Sequence, residues 1–238
     1  MDNFTCVAGE VVSEVISSYG FLEPNLTGAF LHLVKPGQTA IDIGMHLGYF
    51  STLLARLVGS GGKVYSFEPT PSTRKLAEAN TKRFANIQVC PNAVWSHREI
   101  MQFHDYGSKY MAFNSVGFAR LEHSIDTVQT YEVEAISLDD FRARVGGPFH
   151  VIKVDAETAE REIIRGGIET IKLDKPVITM EVGDESSESG ASLELINMMR
   201  DLDYRCWEFN DGVFSPHQIR SSYEYDNLIF LPADRQPN

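Results

Sequence analysis

From Thr39 to Cys90 the chain alternates short apolar runs with longer amphipathic ones, and this alternation restricts the fold more than any other feature. Thr39–Ile43, Lys63–Phe67 and Asn86–Cys90 read as strands. Leu47–Val58 and Pro71–Phe84 read as the helices between them, the second with proline in its first turn, where no N–H is needed. Strands separated by helices of this length form βαβ units, so the sheet is expected to be parallel and covered on both faces. The rhythm resumes with HVIKVD as a fourth strand, a helix over Glu157–Arg165 and PVITMEVG as a fifth strand. A polar loop, DESSESGAS, and a helix around Leu193–Leu202 follow. YRCWEF and YDNLIFLP close the chain as an antiparallel pair at one edge, joined by a long loop.

Two segments stand outside this pattern. Residues 1–36 carry Val7, Val11, Val12, Val15 and Ile16 at helical spacing, then a second apolar helix from Leu26 to Val34 stopped by Pro36-Gly37. Residues 99–136 interrupt the sheet between strands three and four: IMQFHDY and YEVEAI alternate as antiparallel strands do. Ser137 then opens a short helix with Asp139 and Asp140 in its first turn. The expectation is one domain over residues 1–238, a doubly wound, mostly parallel α/β sheet with an antiparallel C-terminal edge and an inserted segment.

Composition narrows the partners. A net charge of −12 argues against a nucleic acid or an anionic membrane as the main partner. The three cysteines, Cys6, Cys90 and Cys206, show no metal-type spacing and read as reduced thiols of a cytoplasmic protein. No signal peptide opens the sequence and no apolar run is long enough to span a bilayer. The two glycosylation-type triplets at Asn3 and Asn25 are therefore read as chance.

In doubly wound sheets ligands bind beyond the carboxyl ends of the strands, which directs attention to the strand ends. Strand one ends in Asp42-Ile43-Gly44-Met45-His46-Leu47-Gly48. Gly44 permits positive φ and close approach of a ligand, and Gly48 lets the next helix pack closely or a ligand lie on its first turn. A dinucleotide would ask for G-x-G-x-x-G; the middle glycine is absent and Asp42 would repel a pyrophosphate. A cationic sulfonium bearing an α-amino group would tolerate that acid. Glu68, at the end of strand two, can accept from both hydroxyls of a ribose. Asn92 and Ala93 follow strand three, where an adenine could be held. Asp155 ends strand four, with Glu157 and Glu160 expected at the mouth of the same cleft. A divalent ion on Asp155, Glu157 and Glu181 is conceivable, but no spacing requires one and no metal is assigned. His46 is the one histidine in a ligand loop and a candidate acid or base. The aromatic C-terminal region (Tyr204, Trp207, Phe209, Phe214) reads as core.

AIDIGMHLGYFS, KVYSFEPTP, NAV and above all IKVDAETAEREIIRGG resemble the FkbM family of S-adenosylmethionine-dependent methyltransferases. The resemblance runs from about Tyr19 to the end, including GFLEP and YDNLIFLP. It implies a class I methyltransferase (Rossmann-like) fold, with the donor across Gly44 to Gly48, Glu68 on the ribose and Asn92-Ala93 on the adenine side. Asp155 would lie beside the methyl group, and the acceptor would be a hydroxyl on a small molecule such as a natural product or sugar. Two positions depart from the family pattern. His46 replaces the asparagine of G-A-N-x-G, and Thr158 replaces the glycine after the V-E pair.

A hydroxyl acceptor must lose a proton, for which Asp155 is the first candidate base, with Glu157, His46 or a metal-bound water behind it. Tyr106, Tyr110 and Phe113 of the insertion are expected on the substrate-side wall. A nitrogen or carboxyl acceptor, an NAD-dependent oxidoreductase and a non-catalytic binding module stay as alternatives, and a homo-oligomer is left open.

Overall fold

The computed structural model describes residues 4–114, 128–156, 158–184 and 190–237. Glu157, most of the polar loop after Asp184 and the side chain of Phe113 lie outside the described residues.

Two helices come first, α1 (Val11–Tyr19) and α2 (Pro24–Leu33). The buried Glu10 carboxylate starts α1 by accepting from the N–H groups of Val12 and Ser13, and Gly20 ends it in a left-handed conformation. Val7 lies ahead of this helix, so the expected start was one turn too early. The wound core follows as β1 (Thr39–Ile43), α3 (Tyr49–Val58), β2 (Lys63–Phe67), α4 (Pro71–Thr81) and β3 (Ile87–Cys90). It resumes with α5 (Leu138–Val145, capped by Ser137), β7 (Val151–Val154), α6 (Glu160–Arg165), α7 (Ile168–Asp174), β8 (Val177–Val182) and α8 (Ala191–Asp201). The chain ends in β9 (Tyr204–Asn210), β10 (Val213–Pro216) and β11 (Asp226–Pro232).

The main sheet runs β10-β9-β11-β8-β7-β1-β2-β3. Strands β3, β2, β1, β7 and β8 are parallel, and the last three are antiparallel. Between β3 and α5 a second sheet pairs β4 (Ala93–Val94), which lies ahead of the insertion, with the insertion's own β5 (Glu99–Asp105) and β6 (Gln129–Ile136), in the order β4-β6-β5.

The apolar side chains divide between the two faces of the main sheet. Ile41 and Ile43 join Phe67, Phe141, Ile163 and Phe230 on one face. Ala40 joins Phe30, Leu54, Trp207 and Phe209 on the other. Tyr204, Trp207 and Phe209 are buried, in keeping with their reading as core. β4, β10, α7 and a short 3-10 turn at Met111–Phe113 have no counterpart in the expectation. The helix expected from Glu157 begins at Glu160, because Thr158 sits at φ +79, outside helical space. The helices expected from Leu47 and to Phe84 run from Tyr49 and to Thr81. Among the described residues no helix is long and apolar enough to cross a membrane.

Candidate active site

A cleft opens beyond the carboxyl ends of β2, β1, β7 and β8. One end has an apolar wall of Phe67, Val94, Phe103 and Met111 beside Asn92 and Ala93. Glu68, Gly44 and His46 line its middle; Lys153, Asp155, Glu181, Glu23 and Leu22 line the rest.

The turn after β1 explains itself residue by residue. Gly44 has φ +77, and a Cβ on it would lie 1.7 Å from the carbonyl oxygen of Asp155, so only glycine lets the ends of β1 and β7 approach this closely. His46 also has positive φ (+49). Asn, Asp and His enter that region more readily than other side chains, which is why histidine can stand where the family pattern has asparagine. Its N–H donates to Glu68 Oε2 at 3.0 Å. Its Nε2 is buried without a hydrogen-bond partner among the described residues, 3.9 Å from Glu10 Oε1. Burial lowers its pKa, with the charge of Glu10 opposing the shift. Gly48 serves packing: a Cβ there would meet Thr81 Cγ2 at 3.0 Å and Met45 Cε at 3.2 Å, and it does not line the cleft.

Glu68 is 6% exposed and accepts a second N–H, from Thr70, at 3.0 Å. Burial pushes its carboxyl up to about 7 despite these bonds. Arg74 donates to the carbonyls of Glu68 and Pro69 at 3.0 and 2.8 Å and fixes the strand end. Asn92 Nδ2 donates to the Glu134 carbonyl and to its Oε2, both at 3.3 Å.

Beneath the cleft a charged row crosses the sheet. Asp42, Lys153 and Thr179 are register neighbours on β1, β7 and β8. Lys153 Nζ lies 3.0 Å from Asp155 Oδ2 and 3.7 Å from Asp42 Oδ1, and over the Phe50 ring. Asp42 is fully buried, takes a bond from Ser51 Oγ at 2.5 Å and does not line the cleft, so it sits behind the ligand surface. Burial raises its pKa, with Lys153 acting against that shift. For Lys153, burial disfavours the charge, but Asp155 and Asp42 more than offset it and raise its pKa. Asp155 lines the cleft. Glu160 does not reach it: its buried carboxylate accepts the Ala156 N–H at 3.2 Å and shapes the loop instead. Among the described residues no three metal-ligating side chains cluster as an ion site would require.

The insertion contributes Phe103, Met111, Ala112 and Asn114 to the cleft, whereas Tyr106 and Tyr110, expected there, are not among the residues that line it. Three residues escaped the sequence reading. Lys153 carried a usable signal, a charge inside a strand that is otherwise wholly apolar. Glu23 and Asn227 lie within GFLEP and YDNLIFLP, which the resemblance includes, but nothing in either segment announces their contact across 204 positions.

This sheet order, with a ligand cleft at the parallel strand ends, defines the fold of the class I methyltransferases. The methyltransferase FkbM structure from Methylobacillus flagellatus KT superposes with a TM-score of 0.52 at 12% identity, covering 86% of this chain and 50% of that one. An rRNA methylase from Streptococcus thermophilus gives 0.51 at 9% identity, covering 89% and 98%. In sequence, 62 residues are 39% identical to a protein-L-isoaspartate O-methyltransferase from Aeropyrum pernix, 25% of this chain and 24% of that enzyme. The chain thus spans about a quarter of that curated relative and half of the Methylobacillus chain. Residues 42–206 match the Methyltransferase FkbM domain, and the chain belongs to that family. Family membership sets aside the dinucleotide oxidoreductase considered from the glycine spacing.

Proposed function

We propose that this chain transfers a methyl group from S-adenosylmethionine to a hydroxyl of a small molecule, such as a natural product or a sugar. The observation that carries the reading is the presence in one cleft of Glu68 and Asp155, with Gly44 between them. The cleft's residues fit this donor: an apolar wall with Asn92 and Ala93 suits a purine, Glu68 a ribose diol, and the carboxylates near Lys153 a cation. The bound donor supplies a methyl group carried on a sulfonium.

Asp155 takes the proton of the acceptor hydroxyl. Lys153 engages its Oδ2, and no hydrogen bond from the described residues reaches Oδ1, which leaves that oxygen for the acceptor. Val12 and Leu22, from the N-terminal helical segment, add apolar surface to the cleft lining. Glu157 follows Asp155 in the chain and is the second candidate for the proton; His46 is the third. The net charge of −12 favours a small molecule over RNA as acceptor. Incubation with methyl-labelled donor and separate small-molecule, RNA and protein fractions tests this. Label in the small-molecule fraction supports the reading, and label confined to RNA or protein overturns it.

A further inference from the structure

We infer that Glu23, on the loop between α1 and α2, accepts a hydrogen bond from the α-ammonium group of the donor's amino-acid end, making the N-terminal segment part of the donor site. The inference rests on S-adenosylmethionine being the donor and assigns a residue that the donor reading above leaves without a role.

Sheet order sets the direction in which the donor lies. Asn92 and Glu68 follow β3 and β2, on one side of Gly44; Asp155 follows β7, and Glu181 and Asn227 belong to β8 and β11, on the other. With the ribose on Glu68 and the purine against Val94 and Phe103, the amino-acid end runs over Gly44 toward Lys153 and Glu23.

Glu23 is built to face that end. It precedes α2 at φ 43, ψ 76 and makes no side-chain cap to the helix. Its Oε2 instead accepts from Asn227 Nδ2 at 2.7 Å, which holds the carboxylate on the cleft wall. No bond from the described residues reaches Oε1. Positive charge is short here: among the described residues that line the cleft Lys153 is the one lysine or arginine, and Asp42, Asp155 and Glu23 all draw on its ammonium. Asp42 Oδ1, 3.7 Å from Lys153 Nζ, has no hydrogen-bond partner among the described residues. A ligand cation offsets that deficit.

Titration calorimetry with two ligands tests the assignment. S-adenosylhomocysteine carries the amino-acid end, and 5′-methylthioadenosine shares its adenosine and thioether but lacks that end. Glu23→Gln should weaken S-adenosylhomocysteine about 10- to 100-fold, the worth of a hydrogen bond to a charged group, and leave methylthioadenosine unchanged. Asn227→Ala, which frees the carboxylate, should give a smaller loss of the same selective kind. Methylthioadenosine binding also reports that each variant is folded. An equal loss of both ligands would make Glu23 structural, and full retention of S-adenosylhomocysteine would place it outside the donor site; either overturns the inference. Wild-type protein binding neither ligand would remove the donor itself.

Discussion

The N–H of His46 donates to Oε2 of Glu68 at 3.0 Å, tying the turn after β1 to the end of β2. One acid thereby does two jobs, bracing the turn and facing the cleft, and its burial makes it sensitive to pH near neutrality.

Glu68 carries the first prediction. Its carboxyl titrates near 4.5 in the unfolded chain and near 7 when folded, so between these values the folded state binds more protons and stability falls as pH rises. In Glu68→Gln that contribution disappears. From pH 5 to pH 8 the stability difference should move in the variant's favour by about 2–3 kcal/mol, measured by urea unfolding. Glu23, raised to about 7 mainly by burial, has the same sign and keeps a residual slope.

Asp155→Asn should bind S-adenosylhomocysteine within a few-fold of wild type yet lose transfer by about 10²–10⁴, the range for a lost general base. Calorimetry and labelled-methyl transfer measure the two separately. Unchanged transfer would remove Asp155 from proton abstraction.

Lys153→Met strands Asp42 as a buried charge and should cost about 3–5 kcal/mol. Adding Asp42→Asn should recover part of the loss, because the stranded charge goes with it. Chemical unfolding of both variants and the parent gives the comparison.

Thr158 adopts φ +79, a conformation that a β-branched residue occupies only under strain. Thr158→Gly should raise stability by up to about 1 kcal/mol, the relieved strain outweighing the added freedom of the unfolded chain. A lower melting temperature would show that Thr158 makes compensating contacts.

At position 46 backbone geometry decides what is tolerated. His46→Asn should leave stability within about 0.5 kcal/mol of wild type, whereas His46→Val should cost about 1–2 kcal/mol, since a β-branched side chain is strained at positive φ. Thermal unfolding distinguishes the two.

Strand-end residues were legible because local punctuation marks them. A run of apolar residues that stops at Asp155 or Glu68 announces a carboxyl end, and Gly44 announces the turn. Asp42 was legible as an acid but not as a buried one, because only the register with Lys153 turns it under the sheet. β4, with two residues, is too short to show alternation, and α7 was hidden behind Gly166-Gly167, read as the end of a helix. Glu23 depends on Asn227, and no local pattern encodes a contact between segments at opposite ends of the chain.

The insertion pairs with β4 in a three-stranded sheet separate from the eight-stranded one, yet lends Phe103 and Met111 to the cleft. The wall that Phe103 and Met111 build can therefore change while β1, β2 and β7 keep the spacing of Gly44, Glu68 and Asp155. Substitution at those two side chains is the economical route to reshaping the cleft.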